Sequence, residues 1–238
     1  QTQIGCWKNV VENIKNKFKK SALVSTHQYL NNEISILINL FKKGLYDQVI
    51  EKGKQVLSKF EKSYMVTNII GSAYLKLKDF NNAKIYHEKT RDLNRKFSEA
   101  YYNLAYTYWQ LGQLDLAEKN GLKAIKLQPK YSYAYNVLGS IYEEKFEINK
   151  ALKSYKKSIQ FDNTNLTPKY NLSLMYLHNG DFKLAWKHFE TRWKILKILD
   201  KVNELSGERW SPDSTSKSVT IWPEQGIGDF ILMSRFLN

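Results

Sequence analysis

Apolar and small residues return along this chain in a fixed order every 34 positions. The clearest stretch runs from Ala100 to Gly112. There Leu104, Ala105 and Tyr108 fall at helical steps, and Leu114, Ala117, Ala124 and Pro129 continue the pattern. One period later, Leu138, Gly139, Tyr142, Ile148 and Ala151 occupy the same places. A further period brings Leu172, Ser173, Tyr176, Gly180, Phe182 and Ala185. One period earlier stand Ile70, Gly71, Tyr74, Phe80 and Ala83, and before them Ile36, Leu37, Leu40, Gly44, Tyr46 and Val49. Five units fit without a gap: 30–63, 64–97, 98–131, 132–165 and 166–199.

Each column has a physical reading. The small column (Gly71, Ala105, Gly139, Ser173) lets two helices of one unit approach closely. The tyrosine column (Tyr74, Tyr108, Tyr142, Tyr176) lies three residues on, on the same helix face. Ala83, Ala117, Ala151 and Ala185 form a second small column, on a second helix that faces the first. Gly44, Gly112 and Gly180 mark the turn between the two, with Asp47, Asp79, Asp115 and Asp181 after it. A unit of this kind cannot bury its apolar stripe alone, so stacked neighbours complete a continuous core.

This pattern resembles the tetratricopeptide repeat over residues 30–199. The resemblance implies an all-α fold, a right-handed superhelix of about five helix-turn-helix repeats. Leu37 in the small column and Arg192 at the last small position mark the first and fifth units as terminal ones. Residues 1–29 carry helical spacing and read as part of a preceding repeat. In this family the first helix of each repeat lines the concave face. The inner positions here include Asn68, Ser72, Tyr102, Asn103, Tyr106, Trp109, Asn136, Ser140, Glu143, Tyr170, Asn171 and His178. Aromatics and amides dominate them. Amides can pair with both groups of a peptide backbone, so a protein or peptide partner on this face is expected. The alternative is that Tyr102, Tyr106 and Trp109 only pack against the next repeat. Asn103 and Asn171 also resemble the asparagine ladder of O-linked N-acetylglucosamine transferase, a ladder that Ile69 and Val137 interrupt here.

Composition narrows the remaining classes. The formal net charge is +14, with 37 basic and 23 acidic residues. Within the repeats most lysines fall on the second helices (Lys84, Lys119, Lys123, Lys153 and others) and read as a solvated outer face. Arginine is sparse, so the sequence carries no strong nucleic-acid signal. The four histidines lack metal-ligand spacing, and a single cysteine, Cys6, excludes an intrachain disulfide framework. No metal site and no catalytic triad is expected. No apolar run is long enough to span a membrane, and Gln1–Lys20 is not a secretory leader. A cytoplasmic setting is the default expectation. The chain starts at Gln1 and stops at Asn238, and reads as a piece of a longer protein.

A compositional boundary falls near residue 200, after which six acidic residues outnumber four basic ones. Residues 200–217 read as a linker. Ser218–Trp222 is a short β-branched strand, Pro223–Asp229 a glycine turn, and Phe230–Leu237 the start of a helix. Strand, turn and helix are the first βα unit of an α/β domain. The junction is similar to that of bacterial proteins joining tetratricopeptide repeats to a glycosyltransferase-like domain of heptosyltransferase type. The residues that carry this are Glu190, Arg192, Trp193, Trp210, then Glu224, Gln225, Gly226, Gly228 and Asp229, with Arg235 beyond. The resemblance implies a Gly loop and makes Asp229 the candidate catalytic base toward an acceptor hydroxyl. Asp229 otherwise caps the helix. No cofactor is expected within these residues, whereas a longer protein would take a nucleotide sugar. The rival expectation is an interaction scaffold without catalysis.

Overall fold

The computed structural model describes residues 26–195. Among them every regular element is a helix. The first, α1, covers residues 26–42. Next come α2 (Tyr46–Lys59), α3 (Tyr64–Lys76), α4 (Phe80–Leu93), α5 (Ser98–Gln110) and α6 (Leu114–Leu127). The remaining helices are α7 (Ser132–Glu144), α8 (Ile148–Phe161), α9 (Thr167–His178), α10 (Phe182–Phe189) and the short α11 (Arg192–Ile195). Helix α1 begins ahead of Leu30. The expected linker 200–217, the βα unit at 218–238 with Glu224, Gln225, Gly226, Gly228 and Asp229, and most of the N-terminal segment lie outside the described residues. The chain divides into two compact units between Asn163 and Thr164.

In the first unit, each helix packs on those before and after it, and α5 also touches α3 and α7. The first helices therefore form a layer of their own. Ile34, Leu37, Val49, Val56, Val66 and Ile70 fill the core between α1, α2 and α3. Leu104, Tyr108, Ala117, Val137 and Ile141 fill it between α5, α6 and α7. Each fully buried Leu or Ile of this kind contributes about 1.5–3 kcal/mol of transfer energy.

The turn inside each repeat is a Schellman closure. The tyrosine column supplies its acceptor. Asp79 N–H donates to Tyr74 O at 2.9 Å, Gln113 to Tyr108 O at 2.9 Å and Glu147 to Tyr142 O at 2.8 Å. In the second unit Asp181 N–H donates to Tyr176 O at 2.9 Å. The residue before each of these donors takes a left-handed backbone. Gly112 (φ 70°) and Gly180 (φ 80°) suit it, as does Gly44 (φ 77°) in α1's turn, but Lys78 (φ 61°) and Phe146 (φ 58°) adopt it too. The closure is thus held at all five turns, with glycine at three of them.

Close approach of the paired helices follows from missing side-chain volume. A Cβ on Gly71 would stand 2.6 Å from His87 Cε1, and one on Gly139 would collide with the Tyr155 ring. His87 and Tyr155 are both fully buried. Between repeats the roles reverse. A Cβ on Gly53 would stand 2.6 Å from Ile70 Cγ1, and one on Gly121 2.7 Å from Leu138 Cδ2. Tyr155 also satisfies its hydroxyl, which lies 3.1 Å from Ser140 Oγ and donates to Glu143 Oε2 at 2.8 Å. In the repeat of His87 the position of Glu143 is taken by Leu75, and neither imidazole nitrogen completes a hydrogen bond. The Gly71 backbone is near, but its contact falls short of hydrogen-bond geometry. Burial accordingly pushes the His87 pKa down to about 3.

The fifth repeat ends early. Its second helix, α10, has 8 residues where α8 has 14. The reason is at Arg192, which occupies the place of Thr90, Ala124 and Ser158, all fully buried. A buried guanidinium needs polar partners. Arg192, 7% exposed, folds over the Phe189 ring at 4.1 Å and pairs with Glu190 at 3.2 Å. Phe182, Leu184 and Trp186 are left exposed on α10.

The strained turns and the buried imidazole have measurable consequences. A left-handed backbone costs an L-residue about 1–2 kcal/mol, part of which glycine gives back as chain entropy. Phe146→Gly and Lys78→Gly are each expected to stabilise the chain by up to about 1 kcal/mol in urea unfolding; unchanged midpoints would refute it. Below the ordinary imidazole pKa of about 6.5, the unfolded chain binds a proton that folded His87 refuses. Stability is therefore lost as pH falls from about 6.5 toward about 3, by about 1.4 kcal/mol per unit. His87→Phe keeps a ring in the place Tyr155 fills in its own repeat. Its stability-versus-pH curve is expected to be flatter by that amount between pH 6 and 4.

Candidate functional site

The candidate site is the face built by the first helices. In the first unit α3 presents Asn68, α5 presents Tyr102, Asn103, Tyr106 and Trp109, and α7 presents Asn136 and Ser140. In the second unit α9 carries Tyr170, Asn171 and His178.

The amides of the first unit are not free for a ligand backbone. Asn68 and Asn103 are each only 6% exposed. Asn103 Nδ2 donates to Asn68 Oδ1 at 2.9 Å, and Asn68 Nδ2 donates to Glu99 Oε1 at 2.9 Å. Their carboxamides tie neighbouring first helices together, in a relay that ends on the Glu99 carboxylate. Asn136 is half-buried and engaged in its own contacts. Ser140 is buried against Tyr155.

The aromatics are arranged otherwise. Tyr102 lies 5.3 Å from the Tyr131 ring and 6.2 Å from Tyr133, and these two are 6.4 Å apart. Tyr106 meets Trp109 edge to face at 5.5 Å. Such spacing is that of favourable ring pairs. Trp109 Nε1 donates to Glu144 Oε1 of the next repeat at 2.6 Å, which fixes the indole. The hydroxyls of Tyr102, Tyr106, Tyr131 and Tyr133 make no hydrogen bond to any described residue. Tyr133 is 51% exposed. Burial, with Tyr106, Tyr133 and Glu99 nearby, pushes the Tyr102 pKa up to about 12, and burial raises that of Tyr131 as well. The Tyr102 and Tyr131 phenols remain protonated donors at neutral pH. The face offers flat apolar area and hydroxyl donors, but no base or nucleophile.

Tyr131, Tyr133, Glu99 and Glu144 were not singled out by the sequence. Three of them were legible all the same. Glu99 and Tyr133 are second residues of their repeats and Glu144 a thirteenth, both inner-face positions. Tyr131 closes the third repeat, and nothing in the pattern marks it.

In the second unit Tyr170 stacks with Phe189 at 6.3 Å, which in turn meets Trp186 at 5.2 Å. Asn171 is half-buried and engaged, and His178 is exposed at the end of α9. Among the described residues no group of three His, Cys, Asp or Glu side chains could hold a metal ion, and no helix is long and apolar enough to cross a membrane.

Residues 68–94, 98–131 and 132–165 match the family model of the tetratricopeptide repeat. BBSome complex member BBS4 of Bos taurus is 32% identical over 44% of this chain and 20% of its own length. Anaphase-promoting complex subunit 3 of Schizosaccharomyces pombe is 24% identical, over 69% of this chain and 31% of its own. The chain spans less than a third of the length of each curated relative it matches. Among solved structures, the thermophilic TPR protein TTC0263 of Thermus thermophilus superposes with a TM-score of 0.62 at 20% identity. That match covers 74% of this chain and 97% of that one. The crystal structure of MamA gives a TM-score of 0.57 at 25% identity, covering 71% and 98%. Over residues 68–94, 98–131 and 132–165 the helix pair is therefore a tetratricopeptide repeat, typically a protein-interaction module.

Proposed function

We propose that the first-helix face of residues 64–144 binds an extended peptide segment of a partner protein. The observation that carries this reading is the cluster of Tyr102, Tyr106, Tyr131 and Tyr133, whose hydroxyls are uncommitted. Tyrosine gives rigid contact area with a donor at its tip, and it loses little entropy on binding. Trp109, braced by Glu144, forms one wall. Asn68 and Asn103 set the spacing of the helices rather than touching the ligand.

The reading is tested by panning a random phage-displayed peptide library against the chain and measuring the selected peptides by fluorescence anisotropy. Exposed aromatic anchors of an interface are worth about 1–2 kcal/mol each. Tyr133→Ala is therefore expected to weaken selected peptides by about tenfold, and Tyr102→Phe by less, with the helical circular dichroism unchanged. Peptides that bind the variants as tightly as the parent chain would refute it.

A second reading concerns residues 218–238. What supports it is the spaced set Glu190, Arg192, Trp193, Trp210 and Glu224–Asp229, the junction of a glycosyltransferase-like domain. On this reading the repeats dock an acceptor for a domain that uses a nucleotide sugar, and Asp229 takes the acceptor proton. The product of the complete gene, assayed for transfer with a panel of nucleotide sugars, is expected to lose turnover by about a hundredfold or more in Asp229→Ala. Absence of turnover with every donor would leave an interaction scaffold.

A further inference from the structure

The second-helix side of the first unit carries a different feature. A groove of about 530 Å³ runs along α6, bounded by the end of α4 and floored by α5. Its rim holds Arg91, Lys119, Lys123 and Lys126. Its floor is Tyr101 and Tyr108, with Leu116 and Leu122 beside them. Every charged side chain of the lining is a cation.

The three lysine charges are also uncompensated. Lys119, Lys123 and Lys126 pair with no carboxylate of the described residues, and Lys123 instead sits 5.9 Å over the Tyr101 ring. Two carboxylates do touch the lining, and both are already engaged. Glu88 accepts the Tyr108 hydroxyl at 2.6 Å, and Asp92 holds Arg91 in a two-point fork at 3.0 and 3.2 Å. Residues 116, 119, 123 and 126 fall on one stripe of α6, so the three ammonium groups follow the helix at steps of about 4.5–6 Å. Leu116 and Leu122 are 44% and 43% exposed within the same groove.

We propose that this groove docks an acidic peptide segment of a partner protein, its carboxylates on the Lys119–Lys123–Lys126 rim and an apolar side chain on Leu116 and Leu122. Charge complementarity selects an anion, and the exposed Leu116 and Leu122 select which kind. Single-stranded nucleic acid binds by stacking bases on open aromatic faces. Here Tyr101 and Tyr108 are 8% and 6% exposed, so their rings are not open to a base. Arg91, whose fork could grip a phosphate, is already taken by Asp92. A helical or extended peptide with carboxylates flanking a leucine meets the rim and the floor together.

The test uses the full chain and fluorescence anisotropy. The probe is a fluorescein-labelled peptide of glutamates carrying two leucines at i and i+4. Binding is expected to weaken with salt and to vanish when the glutamates are replaced by glutamines. Lys119→Glu with Lys123→Glu is expected to weaken it at least about tenfold, and Leu122→Ser several-fold. Lys42→Glu with Lys43→Glu, an equal charge change far from the groove, and Trp109→Ala, on the first-helix face, are expected to leave it unchanged. These substitutions lie at exposed or half-exposed positions, and circular dichroism verifies the fold. No binding of the probe, equal weakening by the Lys42 and Lys43 pair, or no effect of the Lys119 and Lys123 pair would overturn the proposal. So would displacement of the probe by oligothymidylate or by phosphatidylserine vesicles in a way that needs the lysines but not Leu122, because the groove would then serve a nucleic acid or a membrane.

Discussion

The stack rests on how closely the two helices of a repeat approach, and absent side-chain volume sets that distance. A glycine in a helix interior costs about 1 kcal/mol relative to alanine. The chain accepts that cost at Gly53, Gly71, Gly121 and Gly139 because a ring or a branched side chain fills each space. His87 and Tyr155 lie in the hollows of Gly71 and Gly139 within their own repeats. Ile70 and Leu138 enter those of Gly53 and Gly121 from the following repeat. The turn is tied to the same geometry. The column tyrosines accept the closing backbone bond, and two of them, Tyr108 and Tyr142, reach back with their hydroxyls to Glu88 and Glu118 of the preceding repeat. One residue thus fixes a helix end and a repeat interface together.

The helix pairs were legible in the sequence because their signals are local and periodic. A small residue, a tyrosine three places on and a second small residue suffice to phase four of the five units. The turns at Lys78 and Phe146 were not legible, since neither residue favours the left-handed backbone that its neighbours impose. There the paired helices override local preference. The asparagines show a different limit. An inner-face position implies access to a ligand, but Asn68 and Asn103 stand at the fifth and sixth places of adjacent repeats, and the offset brings their amides together. Side-chain pairing across repeats has no signature in a column read one unit at a time.

The two faces of the first unit divide the polar chemistry between them. The first-helix layer concentrates aromatic rings with protonated hydroxyls and consumes its carboxylates internally, Glu99 on Asn68 and Glu144 on Trp109. The second-helix side keeps most of the lysines. Lys119, Lys123 and Lys126 look like an ordinary solvated stripe in sequence. The fold sets Arg91 of the preceding repeat beside them and leaves Leu116 and Leu122 open between. A net charge of +14 is therefore not a uniform coat.

The large-and-small exchange alternates over the first four repeats. The first and third repeats carry Gly53 and Gly121 on the second helix, with glycine at the turn. The second and fourth carry His87 and Tyr155, with Lys78 and Phe146 at the turn. Excising residues 98–131 alone would join two repeats of the same kind, and Leu138 would meet a second helix that carries His87 where Gly121 stands. Excising or duplicating residues 64–131 would keep glycine and ring in alternation. Within the first four repeats the unit in which spaces and their fillers recur is thus the pair of repeats, not the single one.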